Sequence, residues 1–138
     1  AGVALSENCT EADAAAARTI FESVGVVEMV DESMIDVVTA LSGSGPAYFF
    51  HMVEALVAAA VAHGLDEQQA LRLATQTVLG AGRLLSESGE PPAVLRQRVT
   101  SKGGTTEAAL NAFAANDFES IVAEAVSAAV ARAHELGK

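Results

Sequence analysis

The sequence predicts a mainly α-helical protein: a helical bundle preceded by one short strand–helix–strand unit. Three observations carry that prediction. Apolar residues recur at helical spacing from Ser33 almost to the last residue. Hydrophobic residues make up 51% of the chain, but aromatic ones only 4% and Trp none, so small side chains must fill the space between closely approaching helices. Gly25, Gly64 and Pro91–Pro92 mark ends of the periodic segments. At 138 residues the chain is long enough for one domain with a core.

Residues 3–8 make a strand-like run that ends in a turn at Asn8–Cys9. Thr10 followed by Asp13 has the spacing of a capping box, and Ala16, Ala17, Ile20, Phe21 and Val24 then repeat at helical intervals up to Gly25. Val26–Val30 is short and β-branched, which predicts a second strand. This unit is too small to bury itself, and it reads as the edge of a larger sheet. From Ser33, Met34, Val37, Val38 and Leu41 share a helical face until Ser42-Gly43-Ser44-Gly45-Pro46 interrupts. Pro46, at a first helical position, starts a helix running to His63, and Gly64 ends it. Asp66 with Gln69 caps the next helix, which reaches about Ser88. It carries Gly80 and Gly82, which predict a kink or a close approach by another backbone. Glu90-Pro91-Pro92 opens a short helix to about Thr100. Thr105 or Thr106 caps another to Ala115, Asn116–Asp117 breaks the chain, and a final helix spans Phe118–Leu136. The first domain is therefore placed at 1–32 and the helical domain at 33–138. The broad Ala/Val/Leu faces of the helices lead us to expect a dimer.

Eighteen acidic against eight basic residues give a net charge of −10. That balance argues against nucleic acid as a partner, whose binding needs cations against phosphate, and against anionic membrane surfaces. The longest clear apolar run, Ala55–Ala62, is far short of a membrane span and reads as buried helix. Cys9 is the only cysteine, so no intrachain disulfide forms and a reduced, cytoplasmic setting is expected. The opening residues Ala1-Gly2-Val3 resemble neither a signal peptide nor an initiator, and read as the interior of a longer protein.

His51, His63 and His134 are scattered without acidic partners at ligand spacing, so no metal site is expected. Asp31, Glu32 and Asp36 stand before a helix, where its dipole explains them. No nucleophile elbow, P-loop or Cys–His pair is present, and no G-x-G-x-x-G follows a strand. Two glycine–hydroxyl segments remain, each just before a helix: Ser42–Pro46, and Ser101–Thr106 within VTSKGGTTEAAL at Val99–Leu110. Helix starts present unpaired N–H groups and a positive dipole end. Gly103 and Gly104 remove the Cβ atoms that would hold a ligand off the backbone, and Ser101, Thr105 and Thr106 add hydroxyls. Arg96, Arg98 and Lys102 lie within seven positions of one another, as cations for an anion or as ordinary partners of a helix end.

Taken together, TALSGSGPAYFF at Thr39–Phe50 and VTSKGGTTEAAL at Val99–Leu110 resemble the paired loops of pyrroline-5-carboxylate reductases. The helix ending HGL, the LGAGRLL segment and the turn at Pro91–Pro92 fall in the same order. Lys102 stands where many members have proline, which changes loop stiffness and local charge. The resemblance implies the edge of a Rossmann-like dinucleotide-binding domain at 1–32 and a helical dimerisation and substrate-binding domain at 33–138. It implies an oxidoreductase that reduces 1-pyrroline-5-carboxylate to L-proline with NADPH or NADH, the last step of proline biosynthesis. The cofactor's main site would lie in a domain that this sequence lacks, leaving the chain inactive alone. Ser101, Gly103, Gly104, Thr105 and Thr106 would bind the substrate, its carboxylate on Ser101 and the N–H groups of Gly104, Thr105 and Thr106. Thr106 would donate to the ring nitrogen or relay a proton. Thr39, Ser42 and Gly43 would border the nicotinamide. A homodimer is implied, and dimers can assemble further. The competing readings are a non-catalytic helical oligomerisation module and the helical domain of another small-acid dehydrogenase.

Overall fold

A computed structural model describes residues 1–137. Capping, strand pairing and helix-breaking residues divide them into β1 (Gly2–Val3), α1 (Glu11–Glu22), β2 (Glu28–Met29), α2 (Ile35–Val38), α3 (Gly45–Ala62), α4 (Glu67–Ser88), α5 (Pro92–Arg98), α6 (Thr105–Ala115) and α7 (Phe118–Leu136). The fold is mainly α behind a small β-α-β unit, as the composition and periodicity predict.

β1 and β2 pair in parallel, Gly2 opposite Glu28 and Val3 opposite Met29, with α1 as the crossover. Both strands are shorter than the runs at 3–8 and 26–30. A two-stranded sheet gives each strand one neighbour, and Val26, with nothing to pack on, is 75% exposed. α2 lies against β1: a Cβ on Gly2 would stand 2.6 Å from Cγ1 of Val38.

The expected caps of α1 and α4 both form. Thr10 accepts from the Asp13 N–H at 3.2 Å, while the Asp13 carboxylate accepts from the Thr10 N–H at 2.8 Å and from its hydroxyl at 2.6 Å. The Thr10 hydroxyl, then the Thr10 N–H, hold the Asp13 carboxyl below its ordinary value. At α4 the Asp66 carboxylate accepts from the Gln69 N–H at 3.0 Å, and Gly89 closes the helix in the left-handed conformation at φ +66°.

Ser42–Pro46 is not the interruption the sequence suggests. Thr39–Gly43 forms a π turn, the Thr39 carbonyl accepting from the Ser44 N–H at 2.8 Å, and α3 begins at Gly45 with Pro46 second. The widened turn accommodates the glycines without breaking the helical path. Glu32–Ala62 is consequently one helical stretch, long and apolar enough to cross a membrane by length and composition. That corrects the estimate from Ala55–Ala62 alone. The same length and apolarity suit a helix whose face another protein surface covers.

Two compact units emerge from the contacts: Ala1–Pro46 with Ala123–Lys138, and Ala47–Val122. In the first, His134 Nδ1 lies 3.3 Å from the Asp36 carboxylate, so His134 has an acidic partner that the linear spacing hides. In the second unit His51 meets Glu54, three residues on along α3, at 3.3 Å. Hydrophobic residues buried among the described ones are Val27, Ala40, Ala70 and Leu95. Phe49 and Phe50 are 62% and 67% exposed, and the chain exposes 10551 Å².

Candidate anion-binding loop ahead of α6

Pro92 at the first helical position starts α5, and Leu95 is its buried anchor. The helix ends at Arg98, where Val99 and the Thr100 N–H, bonded to the Gln97 carbonyl at 3.0 Å, close the last turn. The chain then reverses through Ser101–Gly104, the Ser101 carbonyl accepting from the Gly104 N–H at 3.0 Å. Gly103 takes the third place of this turn at φ +73°, where a side chain is disfavoured. Gly104 is required for a different reason. Its backbone is ordinary extended chain, but a Cβ there would lie 2.5 Å from Ser101 Oγ and 3.0 Å from the Ser101 carbonyl oxygen. The missing methyl is what lets the Ser101 hydroxyl sit over the start of α6.

The N-cap of α6 is Gly104, not Thr105 or Thr106, and no side chain caps it. Thr105 and Thr106 are the first two helical residues. Their N–H groups point out of the first turn, and none of the described residues accepts from them. The hydroxyls of Ser101, Thr105 and Thr106 are also without partners among the described residues. Ser101 and Thr105 are exposed, and Thr106 is half-buried. Two open amides, three hydroxyls and the positive end of an eleven-residue helix thus fall within the segment Ser101–Thr106.

The amides of Gly103 and Gly104 are engaged within the loop. Gly104 donates to Ser101, and Gly103 donates to Glu107 Oε2 at 2.8 Å. Glu107 is the loop residue that the sequence reading passed over. It stands three positions after the N-cap, the place from which a glutamate folds back in a capping box, and that spacing was the available signal. Here it reaches one residue further, to the amide before the cap.

The cationic cluster divides. Arg98 pairs with Glu90 at 2.7 Å and so ties the end of α5 to the turn before it. Arg96 lines a groove of about 910 Å³ between α5, α6 and the start of α7, together with Thr100, Asn111 and Asp117. Lys102, in the turn itself, makes no ion pair with any described residue.

The other glycine–hydroxyl segment is described by itself, within the first unit. Thr39, Ser42 and Gly43 are all exposed on the π turn. The Ser42 hydroxyl donates to the Val38 carbonyl at 2.9 Å, and the Thr39 methyl lies 3.6 Å from where a Gly43 Cβ would stand. The Thr39 hydroxyl is without a partner among the described residues. Nothing between β1 and α1 supplies a pyrophosphate cradle, since residues 4–10, ALSENCT, contain no glycine. No group of three or more His, Cys, Asp or Glu gathers as metal ligands among the described residues.

The class these features define is a helical domain with little interior of its own, carried behind a parallel strand pair and presenting an open amide pair at one helix start. The family model for pyrroline-5-carboxylate reductase dimerisation matches residues 32–136, and the chain belongs to that family. A pyrroline-5-carboxylate reductase of Arabidopsis thaliana is 45% identical over 136 residues, 99% of this chain and 49% of its own length. The solved structure of the enzyme from Coxiella burnetii superposes with a TM-score of 0.95 at 42% identity, covering 99% of this chain and 51% of that one. The Plasmodium falciparum enzyme, solved with NADP bound, gives 0.86 at 32% identity over 96% of this chain and 51% of its own. The chain spans about half the length of the relatives it matches.

Proposed function

We propose that this chain supplies the dimerisation and substrate-binding half of a pyrroline-5-carboxylate reductase. The observation that carries the reading is the start of α6: the amides of Thr105 and Thr106 unclaimed, with the Ser101 hydroxyl seated over Gly104. A planar carboxylate takes hydrogen bonds from those amides and from Ser101, and the helix dipole favours its charge. Gly103 contributes its left-handed backbone rather than its amide, which Glu107 holds. Thr106, half-buried beside the carboxylate, is positioned to donate to the ring nitrogen as it becomes an amine. NADPH or NADH, when bound, supplies the hydride to the C=N carbon. The chain's own residues need only orient the ring and exclude water, since reducing an iminium requires positioning more than a strong acid. Thr39, Ser42 and Gly43 border the nicotinamide in this reading.

The exposed apolar surface supports a homodimer. Phe49, Phe50, Leu41 and Ile121 all stand more than half exposed on the helices, the kind of apolar surface that an obligate homodimer covers. A Cβ on Gly80 or Gly82 would meet nothing within 4 Å, so these glycines leave room on α4 for a second chain's backbone. The match beginning at residue 32 supports a domain boundary at 32/33. The exposed, unpaired Cys9 suits a reduced cytoplasm.

The test is NAD(P)H oxidation with pyrroline-5-carboxylate by the complete gene product carrying this sequence, beside the 138-residue polypeptide alone. Turnover by the first and none by the second is the expected result. Absence of turnover by the complete protein refutes the reductase reading, and robust turnover by the short polypeptide refutes the half-site reading.

A further inference from the structure

Glu107 places a carboxylate in the very turn that the proposed substrate carboxylate would enter. Its Oε2 accepts from the Gly103 N–H at 2.8 Å across the left-handed turn. It is half-buried, and it makes no ion pair with Lys102 or any other described cation. A structural cap would be served equally by a neutral acceptor. A carboxylate adds a full negative charge about one turn of backbone from an amide pair that attracts anions.

We infer that Glu107 is a specificity-determining and positioning residue for the anion loop: it holds the Gly103 amide and, by its charge, favours monoanionic carboxylates over dianions such as phosphate. This rests on the reductase reading of the same loop. Open helix starts with glycine and hydroxyl neighbours bind phosphate as readily as carboxylate. A fixed negative charge nearby penalises each added charge on the ligand, so a dianion suffers about twice the repulsion of a monoanion. The hydrogen bond to Gly103 makes the second contribution, keeping the turn in the conformation that seats Ser101 over Gly104.

The two contributions separate in three variants of the complete gene product, assayed for KM of pyrroline-5-carboxylate and for competitive inhibition by inorganic phosphate. Glu107→Gln keeps the acceptor and removes the charge; the ratio of phosphate Ki to substrate KM should fall about three- to tenfold. Glu107→Asp keeps the charge but cannot reach Gly103; KM should rise while the ratio stays within about twofold of wild type. Glu107→Ala should show both changes. Circular dichroism and subunit mass establish that each variant is folded and assembled. A wild-type ratio in Glu107→Gln overturns the charge role, and a wild-type KM in Glu107→Asp overturns the positioning role. A wild-type protein that does not reduce pyrroline-5-carboxylate overturns the reductase reading instead. Phosphate binding to that protein, compared with Glu107→Gln by calorimetry, then still decides the charge role.

Discussion

Gly104→Ala is the sharpest single perturbation of the loop. The backbone at Gly104, φ −84° and ψ 171°, is one that alanine adopts freely, so the whole effect comes from the added methyl. That methyl would stand 2.5 Å from Ser101 Oγ and 3.0 Å from the Ser101 carbonyl oxygen, against an ordinary contact of 3.4 Å or more. The hydroxyl must therefore retreat by about 1 Å, and the carbonyl, which accepts from the Gly104 N–H, must give by a few tenths. Overpacking of this size costs about 1–3 kcal/mol in a well-packed core, and the lower end applies to a half-exposed turn. Losing the Ser101 hydrogen bond to a carboxylate removes about 1.5–3 kcal/mol of binding. The expected result is a fall in kcat/KM of roughly 10- to 100-fold, mainly through KM. Steady-state kinetics on the complete gene product, alone and in a Ser101→Ala background, give the assay. Without the Ser101 hydroxyl the same methyl meets only the carbonyl, so the penalty should shrink by at least half. An unchanged KM in Gly104→Ala, or an equal penalty in both backgrounds, refutes the reasoning.

Thr106→Ala should lower turnover and weaken substrate binding while light scattering reports the same subunit mass; unchanged kinetics would remove Thr106 from the site. Gly82→Leu should shift the chain towards monomer in sedimentation, because its side chain fills the room left for a second chain's backbone. An assembly indifferent to leucine argues against close approach at α4. Gly2→Ala should destabilise the strand pair by about 1–3 kcal/mol, because its Cβ meets the β-branched Val38; denaturant midpoints measure this, and Val38→Ala should relieve it. Asp13 has a lowered folded pKa, so its capping box contributes stability above the ordinary carboxylate value of 3.8. That contribution is lost as the pH falls through the lowered value. Asp13→Asn should flatten this part of the pH–stability curve, and an unaltered curve would show that the box contributes nothing.

Local chemistry was legible in the sequence, and distant pairing was not. The Thr10–Asp13 and Asp66–Gln69 caps involve neighbours three residues apart, and both form as the spacing predicts. The glycines of Ser42–Pro46 were harder. Glycine and proline usually end helices, but a π turn accommodates them inside one, and no composition rule separates the two outcomes. At α6 the threonines suggested a side-chain cap; the turn's geometry gave that position to Gly104 and left the first amides open. His134 and Asp36 lie 98 residues apart, beyond any spacing argument. The two-loop pattern was specific where each loop was not, because order and spacing together restrict what single helix starts do not.

The near-absence of a private core among the described residues ties the folding of this half to its assembly. The buried hydrophobic residues among those described, Val27, Ala40, Ala70 and Leu95, cannot hold the helices, so unfolding and separation of subunits should be one equilibrium, with a midpoint that rises with protein concentration. Before it meets a partner, the polypeptide displays Phe49, Phe50 and Leu41 to the solvent, a surface of the kind that chaperones and quality-control proteases engage. Surplus copies would be cleared and assembled ones spared. Abundance would then follow the rate of encounter between chains rather than the rate of synthesis alone.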